Sequence, residues 1–181
     1  MAASDETAEG LFLWLSPADT EASALSALIL ELSDRLGTPR FEPHLTLLPL
    51  PQGQAKAEVE RRAGSLADRL APLTLPLRGL LGEPDFYRAL YAAVEPTPAL
   101  LSARAEARAL FPSPDAPWRP HLSLAYGRLD APVQAALSVE LWPRLPAEVT
   151  ARHLDLIRTD GPPRAWRRLR RFDLGGRASV G

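Results

Sequence analysis

Two of the three histidines in this 181-residue chain stand in nearly the same phrase. Residues 42–50 read EPHLTLLPL and residues 119–127 read RPHLSLAYG. Each phrase places a hydroxyl two positions after the imidazole. Serine and threonine make up 19 of the 181 residues. At that frequency a hydroxyl follows two of three histidines by chance roughly 3 times in 100, before the shared Pro and Leu are counted. On a strand, side chains alternate with a period of two. His44 and Thr46 then share one face, His121 and Ser123 share another, and the intervening leucines mark the core side.

Two imidazoles with two hydroxyls suit phosphate-ester chemistry. A neutral histidine takes a proton from an attacking oxygen, and a protonated one returns a proton to the leaving oxygen. An ordinary histidine pKa of about 6.5 allows both roles near neutral pH. Thr46 and Ser123 can donate to the non-bridging phosphate oxygens, whose charge must be held through the transition state. The arrangement calls for no metal and no cofactor. The sequence offers neither a His-x-x-x-His spacing nor a carboxylate cluster suited to a metal.

The flanking pattern predicts the elements that must carry these groups. LFLWL (residues 11–15) reads as a strand with Leu11, Leu13 and Leu15 on one face and Phe12 and Trp14 on the other. A helix follows, with Ser16 as its cap, Pro17 in its first turn, a stripe of Leu25, Leu28, Leu32 and Leu36, and Gly37 at its end. The first histidine phrase is a strand over about residues 43–50, and a second helix follows it. Residues 73–82 and 86–95 form a hairpin, Thr97 caps a third helix, and a Pro-rich loop leads into the second phrase. A weaker helix over about 131–142 and two closing strands complete the order β-α-β-α-β-β-α-β-α-β-β. The expected fold is a bilobal, pseudo-duplicated α+β domain over residues 1–181, with tails at 1–9 and 175–181.

Bulk properties narrow the choices. Apolar residues make up 46% of the 181, enough for one sizeable core, and the chain is too short to expect two independent domains. The net charge of −1 argues against tight non-specific binding to duplex nucleic acid, yet leaves a small phosphate-bearing ligand open. There are no cysteines, so disulfides and thiolate metal sites are excluded. The polar, acidic start MAASDETAEG lacks the pattern of a signal peptide, and no apolar run reaches membrane-spanning length. The expectation is a cytoplasmic monomer without membrane contact.

With its two H-x-T/S-x phrases, the chain resembles the 2H phosphoesterase superfamily and, within it, the cyclic phosphodiesterase branch. FEPHLTL is similar to that branch's first motif and PHLSLAYG to its second, trailing Tyr-Gly included. FYRALYAAVEPTPALLSARAEARALF is similar to the segment between the motifs and LDLIRTD to a late strand. The resemblance implies two antiparallel sheets facing a central cleft, with helices outside. It implies metal-independent hydrolysis of ribose cyclic phosphates: ADP-ribose 1″,2″-cyclic phosphate, and nucleoside 2′,3′-cyclic phosphates opened to 2′-phosphates. His44 and His121 would be the acid–base pair, with Thr46 and Ser123 binding phosphate. Which histidine is the base stays open. Trp14, Tyr87 and Tyr126 match aromatic positions that would shape the substrate side. Strict alternation from His121 would place Tyr126 on the leucine face, so it reaches the cleft only if the strand bulges or ends near Ala125.

Other residues are read more plainly. His153 has Asp155 rather than a hydroxyl two places on, so it lacks the motif. The arginines of RAWRRLRRF (residues 164–172) read as a solvated strand face that could attract phosphates or a single-stranded RNA end. Two other functions compete with cyclic phosphodiesterase. One is an RNA 2′-5′ ligase or RNA-end processing enzyme of the same superfamily, acting on an RNA 3′ end. The other is an idle nucleotide- or RNA-binding module, whose mark would be loss of one of the four polar groups.

Overall fold

Period-two alternation at residues 11–15 becomes β1 (Leu11–Pro17), whose Leu13 and Leu15 are fully buried. The computed structural model describes residues 9–113 and 116–175. The expected tails at 1–9 and 175–181 lie outside these residues except for Glu9 and Gly175, and part of the Pro-rich loop does too. Helix α1 (Asp19–Leu36) buries Leu25, Leu28 and Leu32 along the anticipated stripe. Full burial of each such side chain contributes about 1.5–3 kcal/mol. Gly37 ends the helix in the left-handed conformation, at φ 67°. The start differs from expectation. Ser16 and Pro17 remain in β1, Ala18 precedes the helix without a side-chain cap, and the Ser16 hydroxyl donates to Asp155 instead. A buried carboxylate won the hydroxyl that local pattern assigned to a cap.

The remaining elements are β2 (Leu45–Leu50), α2 (Lys56–Arg69), β3 (Leu73–Leu81), β4 (Leu90–Val94), α3 (Pro98–Leu110), β5 (His121–Ala125), α4 (Ala131–Leu141), β6 (Glu148–Arg158) and β7 (Arg167–Asp173). Thr97 caps α3 as expected, its hydroxyl accepting from the Leu100 amide at 3.2 Å.

This is an α+β fold built on an antiparallel, nearly barrel-like sheet. The hydrogen-bonded path runs β2-β1-β6-β3-β4-β5, with β7 also on β6. One lobe is β2-β1-β6-β7 and the other is β4-β5. Strand β3 joins them, pairing through Leu73–Pro76 with β6 and through Leu77–Leu81 with β4. The helices lie outside: α1 on β1 and β5, α2 on β6 and β7, α3 on β2 and β3, α4 on β3. The two histidine strands are thus the two ends of the path. The sheet curls until β2 and β5 touch each other. Among the described residues, no helix is long and apolar enough to cross a membrane.

Candidate active site

Both histidine phrases break their strand at the same place. Leu13 pairs with Leu48 and Trp14 with Thr46, so Leu47 is an extra residue in β2. Leu90 pairs with Ala125 and Tyr91 with Ser123, so Leu124 is an extra residue in β5. Each bulge therefore falls on the second leucine of H-L-T/S-L. A bulge lets two neighbours turn to the same side and re-aims the residues after it. Leu47 and Leu48 are both fully buried, as are Leu124 and Ala125. Re-aiming settles the parity of Tyr126: β5 ends at Ala125, and Tyr126 lines the cleft. Gly127, at φ 138°, turns the chain immediately afterwards.

The cleft is a cavity of about 330 Å³. His44, Thr46, His121 and Ser123 all line it, as do Trp14, Tyr87 and Tyr126. The structure thus brings all seven expected site residues to one cavity. His153 is elsewhere, its Nδ1 bonded to Asp173 at 2.8 Å.

The two imidazoles are held alike. His44 Nδ1 lies 2.6 Å from the Glu42 carbonyl, and His121 Nδ1 lies 2.8 Å from the Arg119 carbonyl. A carbonyl only accepts, so both Nδ1 atoms carry hydrogen and Nε2 is left for chemistry. Each residue that supplies the carbonyl also makes an ion pair: Glu42 with Arg168 at 2.8 Å, and Arg119 with Glu83 at 2.8 and 3.2 Å.

Their surroundings differ. Trp14 stacks flat on His44, and the ring is buried, with 6% of its surface exposed. Burial, opposed by the Glu42 carbonyl and aided by the nearby His121, lowers the His44 pKa to about 4. His121 is half-buried, and burial also lowers its pKa, with the Arg119 carbonyl opposing. Tyr126 stacks on Phe41 at 3.7 Å between ring centroids, and its hydroxyl stands 3.5 Å from His44 Nε2. Burial raises the Tyr126 pKa well above the usual range, so the phenol stays neutral.

The hydroxyls differ as well. Thr46 faces the cavity from β2. Ser123 donates to the Tyr87 carbonyl at 2.8 Å, a bond it must leave to reach a ligand. Arg88 and Arg119 add positive charge to the wall. Glu83 gathers Arg88, Arg119 and the Tyr91 hydroxyl, and that hydroxyl, followed by Arg119, holds its carboxyl below the usual range. Tyr91 itself lies behind His121, its ring edge-on at 5.2 Å.

The second half of the chain also secures the first motif. Trp118 Nε1 donates to the Thr46 carbonyl at 3.1 Å, and Arg104 donates to the Leu47 carbonyl while lying over the Trp118 ring. Those carbonyls stand on the outer edge of β2, where none of the described strands pairs with it to satisfy them.

A family profile described as the 2′-5′ RNA ligase superfamily matches residues 17–163, most of the chain. The chain belongs to this superfamily, the 2H phosphoesterases. Other members share the fold at low identity. The crystal structure of TT0787 from Thermus thermophilus aligns with TM-score 0.64 at 23% identity, covering 93% of this chain and 99% of that one. E. coli LigT complexed with 3′-AMP aligns with TM-score 0.56 at 18% identity, covering 92% and 98%. Kluyveromyces marxianus Usb1 aligns with TM-score 0.50 at 16% identity, covering 88% and 96%. Among curated proteins no sequence match is found.

Several wall residues of this 2H phosphoesterase were not singled out from sequence: Trp118, Arg119, Trp166 and Phe12. A signal for one of them was present. The first phrase is preceded by Phe41-Glu42 and the second by Trp118-Arg119, an aromatic residue three places before each histidine. Both aromatics contact the site, Phe41 through Tyr126 and Trp118 through Thr46.

Proposed function

We propose that this 2H phosphoesterase is a metal-independent cyclic phosphodiesterase that opens ribose cyclic phosphates, with ADP-ribose 1″,2″-cyclic phosphate and nucleoside 2′,3′-cyclic phosphates as substrates. One observation carries the reading. Two imidazoles with the same tautomer, each followed by a hydroxyl, line one cavity sized for a small phosphate ester.

His44 is the base. Burial keeps it neutral at pH 7, so its Nε2 takes a proton from water as the water oxygen bonds to phosphorus. His121, less enclosed, is the acid. A bound phosphate anion favours its charged form, and its Nε2–H protonates the ribose oxygen as the P–O bond breaks. For a 2′,3′-cyclic phosphate, loss of the 3′ oxygen leaves the 2′-phosphate. Thr46 and Ser123 donate to the non-bridging oxygens, and Arg88 and Arg119 offset the charge that builds on them. Tyr87, Trp14 and Trp166 form an aromatic wall for the base or sugar. LigT was crystallised with 3′-AMP, ATP and NADP+, which supports a nucleotide in this cleft.

The same chemistry on an RNA 3′ end is the second reading, favoured by the description of the matching family. The presence of all four polar groups favours catalysis over an idle binding module. Incubation with adenosine 2′,3′-cyclic phosphate and ADP-ribose 1″,2″-cyclic phosphate, with the product resolved by chromatography, tests the proposal. Failure to open either compound would refute it.

A further inference from the structure

Trp14 and Trp166 form a wall with a cavity on each side. One is the cleft. The other, of about 290 Å³, is lined from two distant segments by Arg40, Arg164, Arg167 and Arg168, with Glu42 as the single carboxylate among its described lining residues. Four guanidinium groups against one carboxylate give this lining a formal charge of +3, in a chain whose net charge is −1. Two of the ion pairs nearby are open to solvent, Arg40 with Asp34 at 2.7 Å and Arg168 with Glu42 at 2.8 Å, while Arg168 also lies 3.6 Å from buried Asp155. Exposed pairs hold weakly, so an anion with several acceptor oxygens competes for these arginines.

We propose that this cavity is a second phosphate subsite. It takes the phosphate carried on carbon 5 of the same ribose whose cyclic phosphate lies between His44 and His121. The inference deepens the proposed reading of the cleft and rests on it. The chemistry of the substrates points the same way. In an RNA ending in a 2′,3′-cyclic phosphate, the next phosphodiester hangs from the 5′ carbon of the terminal ribose. In ADP-ribose 1″,2″-cyclic phosphate, the diphosphate hangs from the 5″ carbon of the reacting ribose. Both therefore present a second anion on the same side of the same sugar. Half-buried Trp166 is the rim between the two cavities. A sugar resting on it would direct one phosphate to each side. Guanidinium groups bind such a phosphate through paired donors.

The test compares adenosine 2′,3′-cyclic phosphate with and without a 5′-phosphate. The readout is the ratio of their kcat/KM values in the full-length protein. The wild type should prefer the 5′-phosphorylated compound by about tenfold at low salt. The double variant Arg164→Ala, Arg167→Ala should lower that ratio to about twofold or less. Arg170→Ala removes the same kind of charge from the strand that carries Arg167, outside the cavity, and should preserve the ratio. A wild type with no preference, or an Arg170→Ala variant that erodes it equally, overturns the subsite. ADP-ribose 1″,2″-cyclic phosphate and a diadenosine ending in a 2′,3′-cyclic phosphate then show whether a diphosphate or an RNA phosphodiester fits better. If the wild type opens no cyclic phosphate, the reading of the cleft fails, and calorimetry decides the subsite alone. Adenosine 2′,5′-bisphosphate should then bind about tenfold tighter than adenosine 2′-phosphate, and the double variant should abolish the difference. Equal affinities in the wild type contradict the proposal.

Discussion

Trp14 lies flat on His44, with ring centroids 3.4 Å apart and planes 4° from parallel. The indole closes one face of the imidazole to water and is the nearest part of the burial that holds its pKa at about 4. Trp14→Ala should admit water and return the His44 pKa toward its ordinary value, with Trp14→Phe in between. Histidine proton shifts followed by NMR would measure this. An unchanged His44 titration in Trp14→Ala would rule out the burial account.

The same lowered pKa links stability to pH. In the unfolded chain His44 has a pKa near 6.5, and in the folded protein about 4. Between these values the unfolded state binds more protons, so stability is complete above the window and falls as pH drops through it. The loss from this one group is about 3 kcal/mol. His44→Gln cannot titrate there. Urea unfolding at pH 7 and pH 4 should show the wild type losing that much more than the variant. Parallel pH profiles would contradict the assignment.

Asp155 has no exposed surface, and two bonds from Arg171, at 2.8 and 2.7 Å, hold it beside the Ser16 hydroxyl. Asp155→Asn would remove the charge that Arg171 and Arg168 face. Breaking a fully buried pair costs about 3–5 kcal/mol, and partial exposure of Arg171 reduces this to roughly 2–4. Denaturant midpoints would register the loss, whereas a change below about 1 kcal/mol would show that the network is dispensable.

Thr46→Ala and Ser123→Ala should each lower kcat/KM by roughly 10- to 100-fold, the worth of one hydrogen bond to a charged group. Their circular dichroism spectra should stay native. Ser123→Ala leaves the Tyr87 carbonyl without its donor, so a modest fall in stability should accompany it. Full activity in both variants would remove the hydroxyls from the phosphate site.

Much of this site was legible because it is local. Period-two alternation placed His44 beside Thr46 and His121 beside Ser123, and helical spacing marked the buried face of α1. Hidden features depend on partners far away in the chain. Ser16 left its expected cap for Asp155, a residue 139 positions later. The bulges at Leu47 and Leu124 arise from strand register, which one phrase alone does not encode. The arginine run near the C-terminus read as a solvated face. In the structure Arg171 and Arg168 reach inward to Asp155, while Arg164 and Arg167 line a cavity.

The central claim is that His44 takes a proton from the attacking water and His121 gives one to the leaving oxygen across the same cleft. Its most direct test is the hydrolysis of a nucleoside 2′,3′-cyclic phosphate by the wild type, His44→Ala and His121→Ala, each with and without EDTA. The account predicts 2′-phosphate from the wild type regardless of EDTA, and a loss of about 100-fold or more in each variant with the fold intact. Substantial turnover by either variant, or loss of wild-type turnover in EDTA, would contradict it.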